Sequence, residues 1–272
     1  MRIEFTKAAA SGNDFIILDN RDDKLVERGL NLSDFTKFSS RRKFSVGADG
    51  ILVLEDSKSG NFKMRIFNPD GREVTMCGNG IRCSAMYAYK EKWCSSPMKI
   101  ETGAGIIEAE VKEESVKVRM TEPYDIRLEQ NIGVAKTIMS IHTINTGVPH
   151  AIHFVEGIEN YSVRATGQSI RCHKMFEPAG TNVDFVEVRD NSTIVLRTYE
   201  RGVEDETLAC GTGAVASAII SHMVRSVKEP ISVVTRSKDV LKIYFKKERN
   251  SFTNVCLEGT AKIIFQGGID YV

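Results

Sequence analysis

The sequence predicts a mixed α/β (α+β) fold with two pseudo-symmetric halves, each a strand-rich sheet or barrel wrapped around a central helix. Three observations support this prediction. Short motifs recur at one constant spacing, strands and helices follow in the same order in both halves, and each half contains one helix rich in small residues. With 272 residues the chain is long enough for two domains of ordinary size. We expect the active site in the cleft between the halves.

The repeated motifs define the two halves. MCGNG at residues 76–80 resembles ACGTG at residues 209–213, and their cysteines lie 210 − 77 = 133 residues apart. The same spacing separates three further pairs: Gly47 and Gly180, Pro97 and Pro230, and Thr102 and Thr235. One spacing shared by separate segments indicates an internal duplication. We therefore expect one half at residues 1–124 with 262–272, and the other at residues 125–261.

The elements follow the same order in each half. Runs with β-branched or alternating character predict strands at residues 16–19, 51–54 and 64–67, and later at residues 184–188 and 194–199. A glycine-rich turn with the cysteine comes next, followed by a helix at residues 78–92 and again at residues 211–225. The second helix is almost wholly apolar or small, which predicts a helix surrounded by protein. Each helix precedes a strand meander, at residues 99–101, 106–111 and 116–120, and at residues 231–235, 241–245 and 255–258.

Two segments fall outside this repeat. Residues 122–133 (EPYDIRLEQNIG) are the expected linker between the halves. The final segment, residues 261–272 (AKIIFQGGIDYV), has no counterpart in the first half. We expect its strand near residues 263–266 to cross back to the first half.

Composition and charge exclude several classes of function. Basic and acidic residues nearly balance, 37 against 36, and no basic stripe suggests a nucleic-acid or membrane partner. The N-terminal segment lacks the apolar core of a signal peptide, and no apolar stretch approaches the length of a membrane span. Six cysteines at irregular spacing do not suggest a disulfide scaffold. We expect a cytoplasmic protein whose thiols stay reduced.

Cys77 and Cys210 each precede a glycine at the start of a predicted helix. Unpaired N–H groups and the helix dipole favour an anion there, so we expect the thiol pKa to be lowered. The same N–H groups could hold a ligand carboxylate. Two halves that meet at a cleft would place the thiols on opposite sides of one substrate, which is what inversion at a carbon requires. The alternative is that each cysteine packs in its own core.

Five motifs carry a resemblance to a known family: SGNDF at residues 11–15, FNPDGREVTMCGNGIRC at 67–83, TGVPH at 146–150, GTNVDFV at 180–186 and YERGVEDETLACGTG at 199–213. Along nearly its full length the chain resembles the diaminopimelate epimerase family. The resemblance implies an isomerase that interconverts LL- and meso-2,6-diaminopimelate in the biosynthesis of lysine and cell-wall precursors. It also implies a small amino-acid substrate, a homodimer and no pyridoxal cofactor. Residue spacing predicts no metal site, because no CxxC pair or nearby histidine completes zinc ligation with Cys77 and Cys83.

The resemblance further implies roles for individual residues. Cys77 and Cys210 match the acid–base pair, with His150 and Glu200 placed to tune the protonation of the thiols. Four side chains match contacts to the amino and carboxylate groups of the substrate: Asn13, Asn68, Asn79 and Asn182. Glu200 and Arg201 match the residues that read the distal, non-reacting end, where the planar fork of Arg201 suits a carboxylate. Backbone N–H groups for a carboxylate match Gly78, Gly211 and Thr212.

One position departs from the family pattern, because Val148 stands where many members have asparagine. Valine cannot hydrogen-bond a polar substrate group, so this contact is absent or supplied elsewhere. Proline racemase relatives share the paired cysteines but usually have histidine after the first CG, where this chain has Asn79.

Several alternatives stay open. Asn13 and Asn68 could serve as turn formers, alone or in addition to binding. A proline-type racemase is a second functional hypothesis, although the Glu-Arg pair at residues 200–201 indicates a substrate with a second charged end. A third is a redox-sensing or ligand-binding module in which the two repeated cysteines form a reversible disulfide. The other cysteines are expected to pack or to lie at the surface: Cys83, Cys94, Cys172 and Cys256.

Overall fold

The computed structural model describes residues 1–134, 137–249 and 251–271. The chain divides into two compact units. The first consists of Met1–Val118 with Gly259–Val272, and the second consists of Arg119–Glu258. Val272 of the first predicted half lies outside the described residues, as do residues 135, 136 and 250 of the second. Within the described residues, no helix combines the length and apolar character that a membrane crossing requires.

The first unit contains three helices and nine strands among its described residues. Its helices are α1 (Lys24–Glu27), α2 (Leu32–Ser39) and α3 (Gly78–Lys90). Its strands are β1 (Arg2–Ala10), β2 (Asn13–Asp19), β3 (Gly50–Glu55), β4 (Phe62–Phe67), β5 (Glu73–Val74), β6 (Met98–Thr102), β7 (Gly105–Lys112), β8 (Ser115–Arg119) and, at the end of the chain, β18 (Lys262–Asp270).

The second unit follows the same plan. Its strands are β9 (Tyr124–Val134), β10 (Thr137–Asn145), β11 (Pro149–Phe154), β12 (Asn182–Val188), β13 (Thr193–Glu200), β14 (Asp205–Thr207), β15 (Ile231–Val234), β16 (Val240–Glu248) and β17 (Ser251–Thr260). Its helices are α4 (Val163–Arg171) and α5 (Gly211–Arg225), with short 3₁₀ turns at Ile158–Asn160 and Lys174–Phe176.

Strand pairing is the same in the two units. In the first, β1 and β2 are antiparallel, β2 and β3 parallel, β3 and β4 antiparallel, β4 and β6 parallel, and β6, β7 and β8 form an antiparallel meander. In the second, β10 to β13 and then β15, β16 and β17 repeat this sequence of pairings in the same order. The duplicated motifs are therefore matched by a duplicated topology.

The segment predicted as a linker is instead strand β9, which pairs with β10. That prediction is wrong because β9 buries few side chains, among them Ile132 and Val134. Most of its residues are exposed and polar, as loop residues usually are. Strand β18 pairs with β1 as β9 pairs with β10, which confirms that the last strand returns to the first half. The final segment thus has a topological counterpart, although its sequence shows none.

Helices α3 and α5 begin at the residue after Cys77 and Cys210, as predicted. Helix α3 packs against β1, β2, β3, β4, β6, β7 and β18, and α5 packs against β10, β11, β12, β13, β15 and β16. Their central residues are buried on every side, which fits their small and apolar composition. Each unit is therefore a strand-rich layer that surrounds one helix, and the mixed α/β prediction is confirmed at this level.

Candidate active site

Cys77 lies immediately before the first turn of α3. Its backbone is extended (φ −148°, ψ 119°), and its carbonyl accepts a hydrogen bond from Ile81 N–H at 2.9 Å. The side chain is half-buried. A Cβ added at the neighbouring Gly78 would meet no atom within 4 Å, so this glycine borders open space.

The side chains around this helix start form a hydrogen-bonded chain of amides. Buried Arg82 donates from Nη2 to Asn79 Oδ1 and to Ser11 Oγ, both at 2.8 Å. The Asn79 amide donates to Asn13 Oδ1, and Asn13 Nδ2 donates to Asp49 Oδ2 at 3.1 Å. The Arg82 guanidinium can only donate, so Asn79 accepts from it with Oδ1 and has its NH₂ group free to donate to Asn13. Asn13 in turn accepts with Oδ1 and donates with its NH₂ group. The structure therefore brings Asn13 and Asn79 together.

Asn13 and Asn68 differ in their local structure. Asn13 is the first residue of β2 and pairs with Ala10 across the turn at residues 11–12, so its binding role and its turn role both stay predictions. Asn68 is exposed in the turn after β4, where its N–H donates to Arg72 O at 2.9 Å and its carbonyl accepts from Gly71 N–H at 2.8 Å. The turn role of Asn68 is confirmed, while its role in substrate binding stays a prediction.

Cys210 precedes α5 with a similar extended backbone (φ −123°, ψ 114°). Its side chain is buried, and Sγ lies 3.4 Å from Thr212 Oγ1. Burial, together with the carboxyl groups of Glu200 and Asp184, raises the pKa of the Cys210 thiol well above its ordinary value. The expectation of a lowered pKa is therefore wrong for Cys210, because desolvation and two carboxyls outweigh the hydrogen bonds from the first turn of α5.

A buried chain of hydrogen bonds leads from this thiol into the sheet of the second unit. Thr212 Oγ1 lies 3.0 Å from His150 Nε2, and His150 Nδ1 lies 2.6 Å from Asp184 Oδ2. The other carboxylate oxygen accepts from Thr198 Oγ1 at 2.7 Å. The side chains of His150 and Asp184 have no solvent exposure. Because a carboxylate only accepts, Nδ1 carries a proton and Nε2 faces the threonine hydroxyl.

Three further predicted residues lie where β12 begins and β13 ends: Asn182, Glu200 and Arg201. Asn182 Oδ1 accepts from the backbone N–H of Arg201 at 2.8 Å, and its amide nitrogen lies 3.4 Å from His150 Nε2. The Arg201 guanidinium donates to a backbone carbonyl of the loop before β12 at 3.2 Å. Burial raises the pKa of the Glu200 carboxyl. The second unit therefore gathers most of the titratable candidates.

Five residues of these networks were not identified from the sequence: Ser11, Asp49, Arg82, Asp184 and Thr198. The sequence does contain an indication of Asp184. It is an ionisable residue within the apolar strand VDFV, where a buried carboxyl needs a partner. It also lies two residues after Asn182, on the same face of β12. Arg82 gives a similar signal in a helix of small and apolar residues. Neither Asp49 nor Thr198 stands out from its sequence neighbours.

Two of the remaining cysteines lie where packing or surface residues are expected. Cys83 is fully buried, and burial raises the pKa of its thiol to about 12, which suits a packing role. Cys172 is exposed. In the described part of the chain, no group of three or more His, Cys, Asp or Glu side chains is arranged to hold a metal ion.

Comparison with known proteins identifies the family. The profile of the family described as diaminopimelate epimerase matches residues 5–126 and 142–264. The chain is 42% identical over 274 residues to a diaminopimelate epimerase of Aquifex aeolicus, with 97% of each chain covered. It is 39% identical over 282 residues to a diaminopimelate epimerase of Archaeoglobus fulgidus, with 98% of this chain and 96% of the relative covered.

Solved structures of low identity show the same fold. A PhzF-family phenazine biosynthesis protein of Bacillus anthracis has a TM-score of 0.75 and 17% identity, with all of both chains covered. A hydroxyproline epimerase of Agrobacterium vitis has a TM-score of 0.66 and 13% identity, covering 98% of this chain and 92% of that one. The full-length relatives confirm the resemblance seen in the motifs: the chain belongs to the diaminopimelate epimerase family.

Proposed function

We propose that this protein interconverts LL- and meso-2,6-diaminopimelate, with Cys77 and Cys210 as its acid–base pair and without a cofactor. The observation that carries this proposal is the pair of equivalent helix starts, one in each unit, each preceded by a cysteine. Membership of the family supports the substrate. Inversion at an α-carbon needs a base on one face and an acid on the other. The mechanism therefore requires that both thiols reach the same carbon.

The chemistry also requires stabilisation of negative charge. The α-proton of an amino acid is a weak acid, and a thiolate alone is too weak a base to remove it. Preorganised donors must therefore stabilise the carbanion that develops. Backbone N–H groups of Gly78, Gly211 and Thr212 lie at helix starts, where they can donate to the α-carboxylate. Exclusion of water strengthens these interactions.

The surroundings of Cys210 indicate which of the two thiols is protonated in the resting enzyme. Burial raises the pKa of Cys210, so this residue holds its proton at neutral pH and can act as the acid. The two-thiol mechanism then places the thiolate at Cys77, whose side chain is half-buried. In the reverse direction the two roles exchange.

Substrate recognition is divided among polar side chains. We propose that Asn13, Asn68, Asn79 and Asn182 bind amino and carboxylate groups, while Glu200 and Arg201 bind the distal end. Val148 cannot make a side-chain hydrogen bond, so the contact that asparagine makes at this position in many family members is absent or supplied by another residue. We further propose that the units are pseudo-symmetric halves, since their strand pairing is the same, and that the protein forms a homodimer.

Isotope exchange tests the two-thiol mechanism. The LL and meso isomers are each incubated in deuterated water with Cys77→Ala, Cys210→Ala and the wild type. The wild type should take up deuterium at the α-carbon and invert it, whereas each alanine variant should lose epimerisation because one face lacks its proton carrier. Cys172→Ala is the matched control, since it removes an exposed thiol.

Three results would favour other functions. Full epimerase activity in Cys77→Ala or Cys210→Ala would return that cysteine to a packing role. Activity of the wild type on proline but not on diaminopimelate would favour the racemase alternative. No deuterium uptake into any amino acid would favour the redox module.

A further inference from the structure

One hydroxyl group links the Cys210 thiol to a buried histidine. Thr212 Oγ1 lies 3.4 Å from Cys210 Sγ and 3.0 Å from His150 Nε2. A threonine hydroxyl donates one proton and can accept another hydrogen bond at the same time. It can therefore pass a proton in either direction between the sulfur and the imidazole. The backbone N–H of Thr212, which the proposed function uses, takes no part in this link.

We propose that Thr212 relays a proton between Cys210 and His150, and that Asp184 is the positioning residue that sets the direction of this relay. The inference rests on the proposed role of Cys210 as an acid–base group.

Each transfer balances in atoms and charge. When Cys210 becomes the base, its S–H bond breaks and the proton bonds to Thr212 Oγ1. At the same time the former hydroxyl proton of Thr212 leaves and bonds to His150 Nε2. The products are a thiolate, a neutral hydroxyl group and an imidazolium, and nothing is oxidised or reduced. The reverse transfer restores the thiol.

The position of Asp184 determines which way the hydrogen bonds point. Its Oδ2 lies 2.6 Å from His150 Nδ1, while Thr198 holds its Oδ1 at 2.7 Å, and neither the carboxylate nor the imidazole reaches solvent. The carboxylate keeps a proton on Nδ1, so Nε2 is left to accept, from Thr212 Oγ1 at 3.0 Å and from the Asn182 amide at 3.4 Å. The same carboxylate balances the charge of the imidazolium. Asparagine at position 184 would present an N–H donor to Nδ1 and favour the opposite tautomer.

Glu200 is the competing proton acceptor for the same thiol. Its carboxyl acts electrostatically on both Cys210 and His150. Removal of the Thr212 hydroxyl separates the two routes, because a direct transfer to Glu200 does not need that group.

Thr212→Val is the decisive variant, since valine has the shape of threonine and keeps the backbone N–H. We expect kcat for diaminopimelate to fall about a hundredfold, the lower end of what general acid–base assistance contributes. KM should stay within about twofold, because carboxylate binding is retained. Thr212→Ser, which restores the hydroxyl, should recover most of kcat. Thr36→Val is the matched control, because it removes another buried hydroxyl, the one that donates to Leu32 O in α2.

Asp184→Asn provides an independent test. It should lower kcat about a hundredfold or more, as expected when a buried carboxylate no longer orients its histidine. Circular dichroism and thermal unfolding establish that each variant is folded.

A Thr212→Val variant with wild-type kcat would overturn the relay and favour Glu200 as the direct acceptor. Equal losses in Thr212→Val and Thr212→Ser would also overturn it, because the hydroxyl would not be the active group. A wild-type kcat in folded Asp184→Asn would overturn the role of Asp184. A wild type without α-proton exchange on diaminopimelate would instead overturn the proposed function itself.

Discussion

Cys77 and Cys210 immediately precede equivalent helices but have different neighbours. Cys77 lies near a chain of amides that ends at Arg82, whereas Cys210 adjoins a hydroxyl, an imidazole and two carboxyl groups. In the proposed mechanism one proton carrier has to be neutral when the other is charged. The raised pKa of Cys210 suits the neutral role.

Arg201→Lys tests recognition at the distal end of the substrate. Lysine keeps the charge but loses the planar fork that matches a carboxylate. We expect kcat/KM to fall about ten- to a hundredfold, since a hydrogen bond to a charged group contributes about 1.5–3 kcal/mol. Arg189→Lys, at a half-exposed arginine that pairs with Glu187, is the control and should leave kcat/KM unchanged. Unchanged kinetics in Arg201→Lys would mean that another residue reads the carboxylate.

The raised pKa of Cys210 predicts a pH-dependent stability difference. A thiol whose pKa is raised on folding stabilises the native state below its unfolded pKa, near 9.0, and this contribution is lost as pH rises further. Wild type should therefore be more stable than Cys210→Ala at pH 7.5, and the difference in free energy of unfolding should shrink by pH 10. Urea unfolding at both pH values measures it. For Val215→Ala, which truncates a buried apolar side chain of α5, the difference should not change with pH. A constant difference for Cys210→Ala would contradict the buried neutral thiol.

At the scale of elements, Gly80 and Gly213 let each central helix approach its sheet. A Cβ at Gly213 would lie 2.6 Å from Asp184 Oδ1, and one at Gly80 would lie 2.9 Å from Leu52 Cδ2. The leucine methyl can rotate away, whereas hydrogen bonds to His150 and Thr198 hold the carboxylate in place.

Gly213→Ala should therefore lower the free energy of unfolding by about 1–3 kcal/mol, the usual cost of overpacking. It should also lower kcat, because the Asp184 carboxylate has to move. Gly80→Ala should be close to neutral, since the gain of about 1 kcal/mol in helix propensity offsets a mild clash. Urea unfolding and steady-state kinetics give both quantities, with Gly133→Ala as a control in open space. Equal destabilisation at both positions would show that Asp184 is not rigidly held.

Sequence patterns predicted the central elements better than the peripheral ones. Helices α3 and α5 were predictable because they are rich in small and apolar residues and because a glycine follows the cysteine that precedes each helix. Helices α2 and α4 were not, since they are short and bury only a few side chains, such as Phe35 and Ile170. Strand β9 was mistaken for a linker because strand pairing, rather than burial of an apolar face, holds it in the sheet.

Only those features of the candidate site that lie within short sequence motifs were predictable. The cysteines and the polar candidates lie in short motifs with an assignable chemistry. The pKa of Cys210 was not predictable, because it depends on burial and on Glu200 and Asp184, which come from two other strands. For the same reason the link through Thr212 to His150 required the structure, since 62 residues of chain separate them.

At the scale of the whole molecule, the two units differ in how the chain builds them. The second unit is one continuous segment, Arg119–Glu258, whereas the first needs both ends of the chain. Strand β18 pairs with β1 from Arg2 to Ala9, and Phe265 packs against Phe5 with ring centroids 6.0 Å apart. Tyr271 makes edge-on contact with Phe35 of α2 at 5.3 Å. The last residues of the chain therefore complete the first unit.

A chain that ends at Ala261 should lose stability mainly in the first unit, because β1 loses a partner and α2 loses its aromatic contact with Tyr271. Hydrogen exchange measured by mass spectrometry should show faster exchange in peptides from β1 and β2, while peptides from β12 and β13 keep their protection. Tyr271→Ala should give the same pattern more weakly, since an aromatic pair contributes about 0.5–1.5 kcal/mol beyond its buried area. Tyr124→Ala, at an exposed position of β9, is the control. Equal loss of protection in both units would mean that they unfold as one cooperative structure, and the separate role of β18 in the first unit would be wrong.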